Sequence, residues 1–510
     1  MVMKLAWSAV FALAVAGVAW ADDDETATKP VDPEAVQDLL SRVQRLEELQ
    51  QETELDRLKR QAAKEKQEEL EGLPARVSKL EKTQASSGQT WDATKFLTFA
   101  TPDGNFTAKI GGRIYMNYRH IFERDDGNGG NTDTFFLDTA RIVVDGTFFK
   151  DFFYRVELES QTTEPTQTVD VDEGAGTSNV VVTNARGMAR LKDVYIGWNL
   201  FPEYLTLQGG QMKTPWSQEE TTSSRFIDFG ERSLLNRLAP AHDIGFLFKG
   251  TLAEKIIEWN LGVFNGTLAR DGGRNTPDPN DEKDAVGRLF ITPFRNSGTK
   301  FIEQLRIGGD FTVGDRDNQA IGTGITAGDY QVGTINPFAV PGTVNADGLQ
   351  TRYLFNFSWI YGPMSVRAEY GVVNTELNDV PAALESDFDQ VGYYVQGSYI
   401  LTGEDKPLEN RIKPRNNLNL SEGNLGAFEL AARFSVLDTS DGEDAGVVAI
   451  TANQKTQEIV IGLNWWWTHN IALRLNWVHL GYDEDRIGIK TGNEDDDSQD
   501  IFYVRWQIDF

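Results

Sequence analysis

The sequence predicts an all-β fold: a 16-stranded antiparallel transmembrane β-barrel with an N-terminal helical coiled-coil segment. Three observations predict it. From about residue 96 to Phe510, apolar and polar residues alternate in segments long enough to cross a bilayer when tilted. The connections between these segments alternate between short and long, as in barrels whose turns crowd one rim and whose loops extend from the other. After the N-terminus no apolar run reaches the roughly 20 residues that a membrane helix needs, which excludes a helical membrane protein but not a strand-built one.

Composition narrows the function classes. Asp and Glu outnumber Lys and Arg 77 to 49, a net charge of −28, so nucleic acid is not an expected partner. The absence of cysteine excludes disulfides, thiolate metal sites and cysteine nucleophiles. The four histidines, His120, His242, His469 and His479, are too scattered for a histidine-rich metal site, and no cofactor is expected. His242 beside Asp243, with Ser223 and Ser224, supplies ingredients of a hydrolase, but no spacing assembles them, so no catalytic set is expected.

At the start, Lys4, the apolar stretch 5–18 and Ala19-Trp20-Ala21 read as a signal peptide over residues 1–21. Residues 22–90 form a second region, of which 33–71 is charged, glycine-free and helix-favouring. Val36, Leu39, Val43 and Leu46 keep 3-4-3 spacing; Leu55, Leu58 and Ala62 resume it after a phase shift, and Leu70, Leu73, Val77 and Leu80 continue it. Pro74 allows a break. Such a seam with charged flanks predicts a coiled coil and self-association, the alternative being a lone solvated spacer helix. Ser86-Ser87-Gly88 reads as a linker.

Residues 91–510 are assigned to the barrel. The terminal segment is the clearest: Phe502, Val504, Trp506, Ile508 and Phe510 share one face, and Tyr503, Arg505, Gln507 and Asp509 the other. Similar segments fall near 107–119, 134–148, 152–160, 187–201, 204–213, 243–251, 254–266, 283–293, 302–314, 349–361, 363–373, 387–402, 425–437, 456–467, 470–482 and 500–510. Fourteen or eighteen strands are the alternatives. Short links such as Lys150-Asp151 and Gly362 alternate with long ones, the third of which is 214–242. One connection misfits: 403–424 should be a short turn. Trp198, Tyr204, Trp259, Tyr361, Tyr399, Trp465 and Trp467, near segment ends, suit interfacial girdles in lipid.

A barrel of this size encloses more volume than its wall side chains fill, so water enters unless something plugs it. Strand parity puts Arg113, Arg141, Arg306, Arg352, Arg367 and Arg433 among the lumen-facing candidates for selectivity, on faces that carry carboxylates such as Glu157, Asp193 and Glu369. The 214–242 connection supplies constriction candidates if it folds inward: Arg225, Asp228, Arg232 and Arg237, with Lys213 just before it. Guanidinium groups are permanently charged and donate in a planar fork, which suits oxyanions. The competing reading is that these arginines pair with neighbouring carboxylates and stiffen the wall.

Several motifs resemble the phosphate-selective porin O/P family of Gram-negative outer membranes. They are Gly112-Arg113-Ile114, Thr139-Ala140-Arg141, LKDVYIGW at 191–198, the stretch from Gly209 to Pro240, GYYVQGSYILTGE at 392–404, Ile412-Lys413-Pro414 and GAFELAARFS at 426–435. The resemblance covers about residue 107 to the C-terminus and implies a trimeric 16-stranded porin whose third loop folds into the lumen. It also implies passage of phosphate past lumenal Arg and Lys, and it places the TGE…KP element in the 403–424 connection. The expected function is passive diffusion of small solutes and ions, anions such as phosphate preferred, through an outer-membrane channel, with lipid as a partner and the helical segment in the periplasm. The alternative is an envelope tether in which the coiled coil links outer membrane to cell wall and the barrel is mainly an anchor.

Overall fold

The structure, a computed structural model, describes scattered helical positions between 37 and 67, then residues 90–92, 96–122, 133–160, 189–267, 280–320, 345–378, 387–439, 455–482 and 498–510. The chain divides into two units, Met1–Ala85 and Ser86–Phe510. Residues 1–21, most seam positions of the expected coiled coil and the Ser86-Ser87-Gly88 linker lie outside the described residues. In the first unit the described positions are helical, and Leu49, Leu55 and Leu58 are exposed.

The second unit contains two short strands, β1 (Thr90–Asp92) and β2 (Phe96–Ala100), and then sixteen that form a closed ring. The first half of the ring is β3 (Phe106–Ile121), β4 (Asp133–Phe148), β5 (Phe152–Ser160), β6 (Ala189–Phe201), β7 (Leu205–Lys213), β8 (His242–Leu252), β9 (Ile257–Phe264) and β10 (Asp284–Ile291). The second half is β11 (Arg306–Ala320), β12 (Asn345–Tyr361), β13 (Met364–Leu377), β14 (Asp387–Ile400), β15 (Ala427–Asp438), β16 (Lys455–Trp466), β17 (Ile471–Tyr482) and β18 (Ser498–Asp509). Each strand pairs antiparallel with the next, and β18 closes on β3, from Ile501 opposite Ile121 to Asp509 opposite Arg113. Phe510 completes the seam by exchanging both backbone hydrogen bonds with Gly112, each 2.9 Å. Beyond that point β2 takes over the same edge of β3, pairing with Thr107–Ile110. The expected count of sixteen therefore holds for the ring, with β1 and β2 as additions to it.

Alternation decides which side chains face where. Along β13, Ser365, Arg367, Glu369, Gly371, Val373 and Thr375 are buried inside the ring, while the residues between them are partly or fully open to the exterior. Outward positions carry exposed apolar groups, among them Phe135, Ile196, Phe246, Leu261, Phe355 and Trp506. Aromatic rings gather at the short-turn rim: Phe152 stacks on Trp198 at 5.4 Å, Phe428 on Trp465 at 5.6 Å, and Trp465 meets Trp467 edge-on at 5.4 Å. These rings lie at strand ends, where the sequence places its aromatic girdle.

Two connections enter the lumen. Residues 214–241, between β7 and β8, fold inward and are ordered by a short helix, α1 (Gln218–Thr221), and a 3-10 turn, Leu234–Leu238. The misfitting connection between β14 and β15 also enters the ring, from the short-turn side: Lys406 pairs with Asp228 of the inward loop and with Glu429 of β15. Its Ile412 packs with Ile400, Ala427, Trp466 and Ala472. A uniformly polar interior, expected from strand alternation alone, is therefore not what the ring encloses. On one side, Trp216, Leu234, Leu235, Leu238 and Ala239 of the loop pack against Leu354, Val373, Tyr394 and Leu437, and Phe229 against Val460, Val478, Leu480, Ile501 and Tyr503.

Ring closure leaves no room at Gly112, where an added Cβ would lie 2.5 Å from the Arg141 carbonyl oxygen and 2.8 Å from the Phe510 ring. Gly112→Val is expected to destabilise the folded barrel by about 1–3 kcal/mol, measured as a lower temperature for loss of the compact band in heat-modifiable gel mobility.

Candidate functional site

The inward loop begins with a sharp reversal. Ser217 has φ of 63°, an unfavourable region for a side-chain-bearing residue, and the strain is held by the far wall. Its N–H donates to Asp310 of β11 (2.8 Å), and its hydroxyl to Glu369 of β13 (2.8 Å), which also accepts from the N–H groups of Gln218 and Glu219. Asp310 is in turn gripped by both ends of the Arg288 guanidinium, each at 2.9 Å. Farther along, the Gly230 N–H donates to Asn476 (2.8 Å), and Arg474 to the carbonyls of Arg225 (3.0 Å) and Phe229 (3.1 Å). These bonds satisfy loop backbone groups that would otherwise be buried without partners.

Because the loop leans on the β11–β18 wall, the open space lies against β3–β8. It is a polar cavity of about 340 Å³, lined by Arg113, Arg141, Arg155, Lys192, Lys213, Arg225 and Arg232 among cations and by Glu157, Asp193, Glu220 and Glu409 among carboxylates. Hydroxyls of Thr221, Thr222, Ser223 and Ser224, together with Tyr195, Phe226 and His242, complete the lining.

Within it three guanidiniums converge on one carboxylate. Glu157 lies 2.9 Å from Arg113, 3.1 Å from Arg141 and 2.9 Å from Arg155, so one negative charge is surrounded by three positive ones. Arg113 also spans to the loop, donating to Ser223 (3.1 Å) and Ser224 (3.0 Å). Arg155 leans toward Asp193 (3.2 Å), which faces His242 at 3.3 Å. Lys213 pairs with Glu220 (2.9 Å), and Arg232 donates to the carbonyls of Glu219 (3.1 Å) and Thr222 (2.8 Å). Arg225 makes no ion pair with any of the described residues; its Nε is 3.4 Å from the Ser223 hydroxyl and its guanidinium lies over the Phe226 ring.

The sequence-derived candidates thus fall into two groups. Arg113, Arg141, Lys213, Arg225 and Arg232 line the cavity. The others sit in the supporting structure. Arg433 holds Glu458 (2.9 Å) and the carbonyls of Glu231 and Arg232. Arg367 donates to the Leu408 carbonyl, and Arg352 to the Thr267 carbonyl beside Asp284. Arg306 binds Glu258 (2.7 Å), Asp228 is bound by Lys406 and Gln396, and Arg237 is half-buried in the 3-10 turn. Sequence reasoning left Lys192, Lys406 and Glu409 out of the candidate set. Lys192 sits where a register shift between Val156 and Leu158 interrupts strict alternation. Lys406 and Glu409 lie in the connection whose length alone had marked it as unusual.

Comparison with known proteins supplies four likenesses. A family described as phosphate-selective porin O and P matches residues 108–510. Porin O of Pseudomonas aeruginosa is 26% identical over 446 residues, 81% of this chain and 91% of that protein. Among solved structures, the trimer form of OmpT of Vibrio cholerae is 10% identical with a TM-score of 0.46, covering 79% of this chain and 99% of that one. The outer membrane channel DcaP of Acinetobacter baumannii is 12% identical with a TM-score of 0.46, covering 81% and 99%.

The loop is pinned by packing as much as by charge, and Phe229 and Trp216 are fully buried. Phe229→Ala or Trp216→Ala is expected to cost about 3–5 kcal/mol locally while the ring still closes. Single-channel recordings should then show larger, noisier currents; quiet currents of unchanged size would mean that the loop does not limit conductance.

Proposed function

The chain belongs to the phosphate-selective porin O and P family, and from that premise we propose that its outer-membrane barrel passes small oxyanions, phosphate among them, through the polar cavity against β3–β8. The observation that carries this reading is the charge of the lining, seven cations against four carboxylates, in a protein whose overall charge is −28. Fixed positive charge in a narrow, low-dielectric passage raises the local concentration of anions and lowers that of cations.

Arg225 and Arg113 are the proposed first contacts. The Arg225 guanidinium is held by a weak hydroxyl contact and an aromatic face, which leaves donors for a passing oxyanion. The arginine cluster around Glu157 supplies a second landing point, and its internal carboxylate keeps the cations from binding an anion too tightly for release. In this reading Arg367 and Arg433 act as struts that hold the two inward connections, and Arg306 and Arg352 as braces for Glu258 and the Thr267 carbonyl, rather than as contacts for the solute.

The remaining features fit an exported envelope protein. Residues 1–21 are proposed to be a removed signal peptide, and residues 22–90 a periplasmic helical segment. Exposed Leu49, Leu55 and Leu58 on helical positions support self-association of that segment, and we assign the assembly as a homotrimer. The exposed apolar wall is proposed to meet outer-membrane lipid, with the short-turn rim periplasmic.

In planar bilayers with a salt gradient, the wild-type reversal potential is expected to show anion preference, and phosphate should compete with chloride current. Arg113→Ala and Arg225→Ala should each lower that preference and weaken phosphate competition by about two- to tenfold, in line with loss of a charge-assisted hydrogen bond. Arg232→Ala tests the loop edge in the same assay. Cation preference in the wild type would refute the anion reading. Deleting residues 22–88 should leave conductance intact and weaken trimer stability on native gels.

A further inference from the structure

The four carboxylates of the cavity are not equivalent. Glu157, Asp193 and Glu220 each have two or more basic groups within 3.6 Å, and their side chains are 2%, 20% and 2% exposed. Glu409 differs: its side chain is 42% exposed, and its neighbouring cation is Arg306 at 3.5 Å. That arginine is already committed to Glu258 at 2.7 Å. Glu409 therefore presents the least neutralised negative charge to a passage otherwise dominated by cations.

Its position is equally distinctive. It lies on the connection between β14 and β15, which enters the ring from the short-turn rim, opposite to the entry of the 214–241 loop. The segment is fixed where it matters. Lys406 is locked between Asp228 and Glu429, the Leu408 carbonyl accepts from Arg367, and Arg411 pairs with Asp509. Gln218 at the head of the loop donates to the Glu409 carboxylate at 3.2 Å, so the two inward connections meet at this side chain.

We propose that Glu409 is a specificity-determining residue of the passage: a fixed negative charge on the short-turn side that limits how tightly an anion is held and hastens its exit. The inference rests on the anion-passing reading above. A binding region that is only cationic would attract an oxyanion but also detain it, and flux requires that attraction be matched by release. A carboxylate placed beyond the arginines repels the anion as it leaves them. The same carboxylate gives cations a foothold, so it also holds the pore's selectivity below its cationic maximum.

The test uses full-length protein in planar bilayers, comparing wild type, Glu409→Gln and Glu409→Lys, with heat-modifiable gel mobility to show that each is folded. Glu409→Gln keeps the shape and the Gln218 contact, and removes only the charge. It is expected to raise the anion-to-cation permeability ratio about twofold and to lower by a similar factor the inorganic phosphate concentration that halves chloride current; both effects should fade in concentrated KCl. Glu409→Lys should move both quantities further in the same direction while reducing the maximal current carried in phosphate. Folded variants with unchanged ratio and unchanged phosphate competition would overturn the proposal, as would a shift toward cations. A wild type that conducts without phosphate competition would remove the phosphate preference alone, and the reversal potentials would still decide the role of Glu409. A wild type that passes no current would bring down the pore and this inference together.

Discussion

A backbone that crosses hydrocarbon has to pair every N–H and C=O within the protein, and strands can do so only by closing into a ring. Everything else in this molecule follows from the seam between β18 and β3. The final residue takes part in it: Phe510 bonds Gly112 on both sides, and its ring covers the space where a Gly112 side chain would stand. The chain then reuses the leftover edge of β3 by adding β2, so that the pairing of β3 continues past the point where the C-terminus stops.

A ring of sixteen strands solves the hydrogen-bond problem and creates a packing one, because its own side chains cannot fill the interior. The protein answers with two connections inserted from opposite rims. The insertion builds a hydrophobic core inside the barrel, with Trp216, Phe229 and Leu235 on the loop meeting apolar residues at lumen-facing positions of β12–β18. Against the opposite wall, charged and hydroxylated residues keep a polar cavity open. The lumen is thus divided into an apolar half that fixes the loop and a polar half that keeps a cavity open.

That division explains why arginines of similar parity do different jobs. On the apolar side a buried guanidinium is valuable as a multiple donor: Arg433, Arg474 and Arg288 satisfy loop carbonyls or grip wall carboxylates whose burial would otherwise be costly. On the polar side the same group lines the cavity, with Arg113 bridging Glu157 to the loop hydroxyls of Ser223 and Ser224 and Arg225 lying over Phe226. The carboxylates follow the same logic, with Glu369 and Asp310 serving as anchors for the loop at Ser217 and Glu409 lining the cavity.

Much of the fold was legible in the amino-acid order because a two-residue repeat is a local property: sixteen alternating segments emerged as sixteen ring strands, most with boundaries displaced by only a few residues. The third long connection also announced itself through its density of aromatic and charged residues. The sorting of the candidate arginines was not legible, because parity says that a side chain faces inward but not what it meets there. Leu354, Val373 and Val460 are apolar at inward positions, and the inserted loop gives them partners. The misfitting length of 403–424 could be counted; that its Lys406 and Glu409 meet the inward loop at Asp228 and Gln218 could not. Strand identity rests on neighbours in the chain, whereas the division into apolar and polar halves rests on which distant segments meet, and that was decided by the tertiary structure alone.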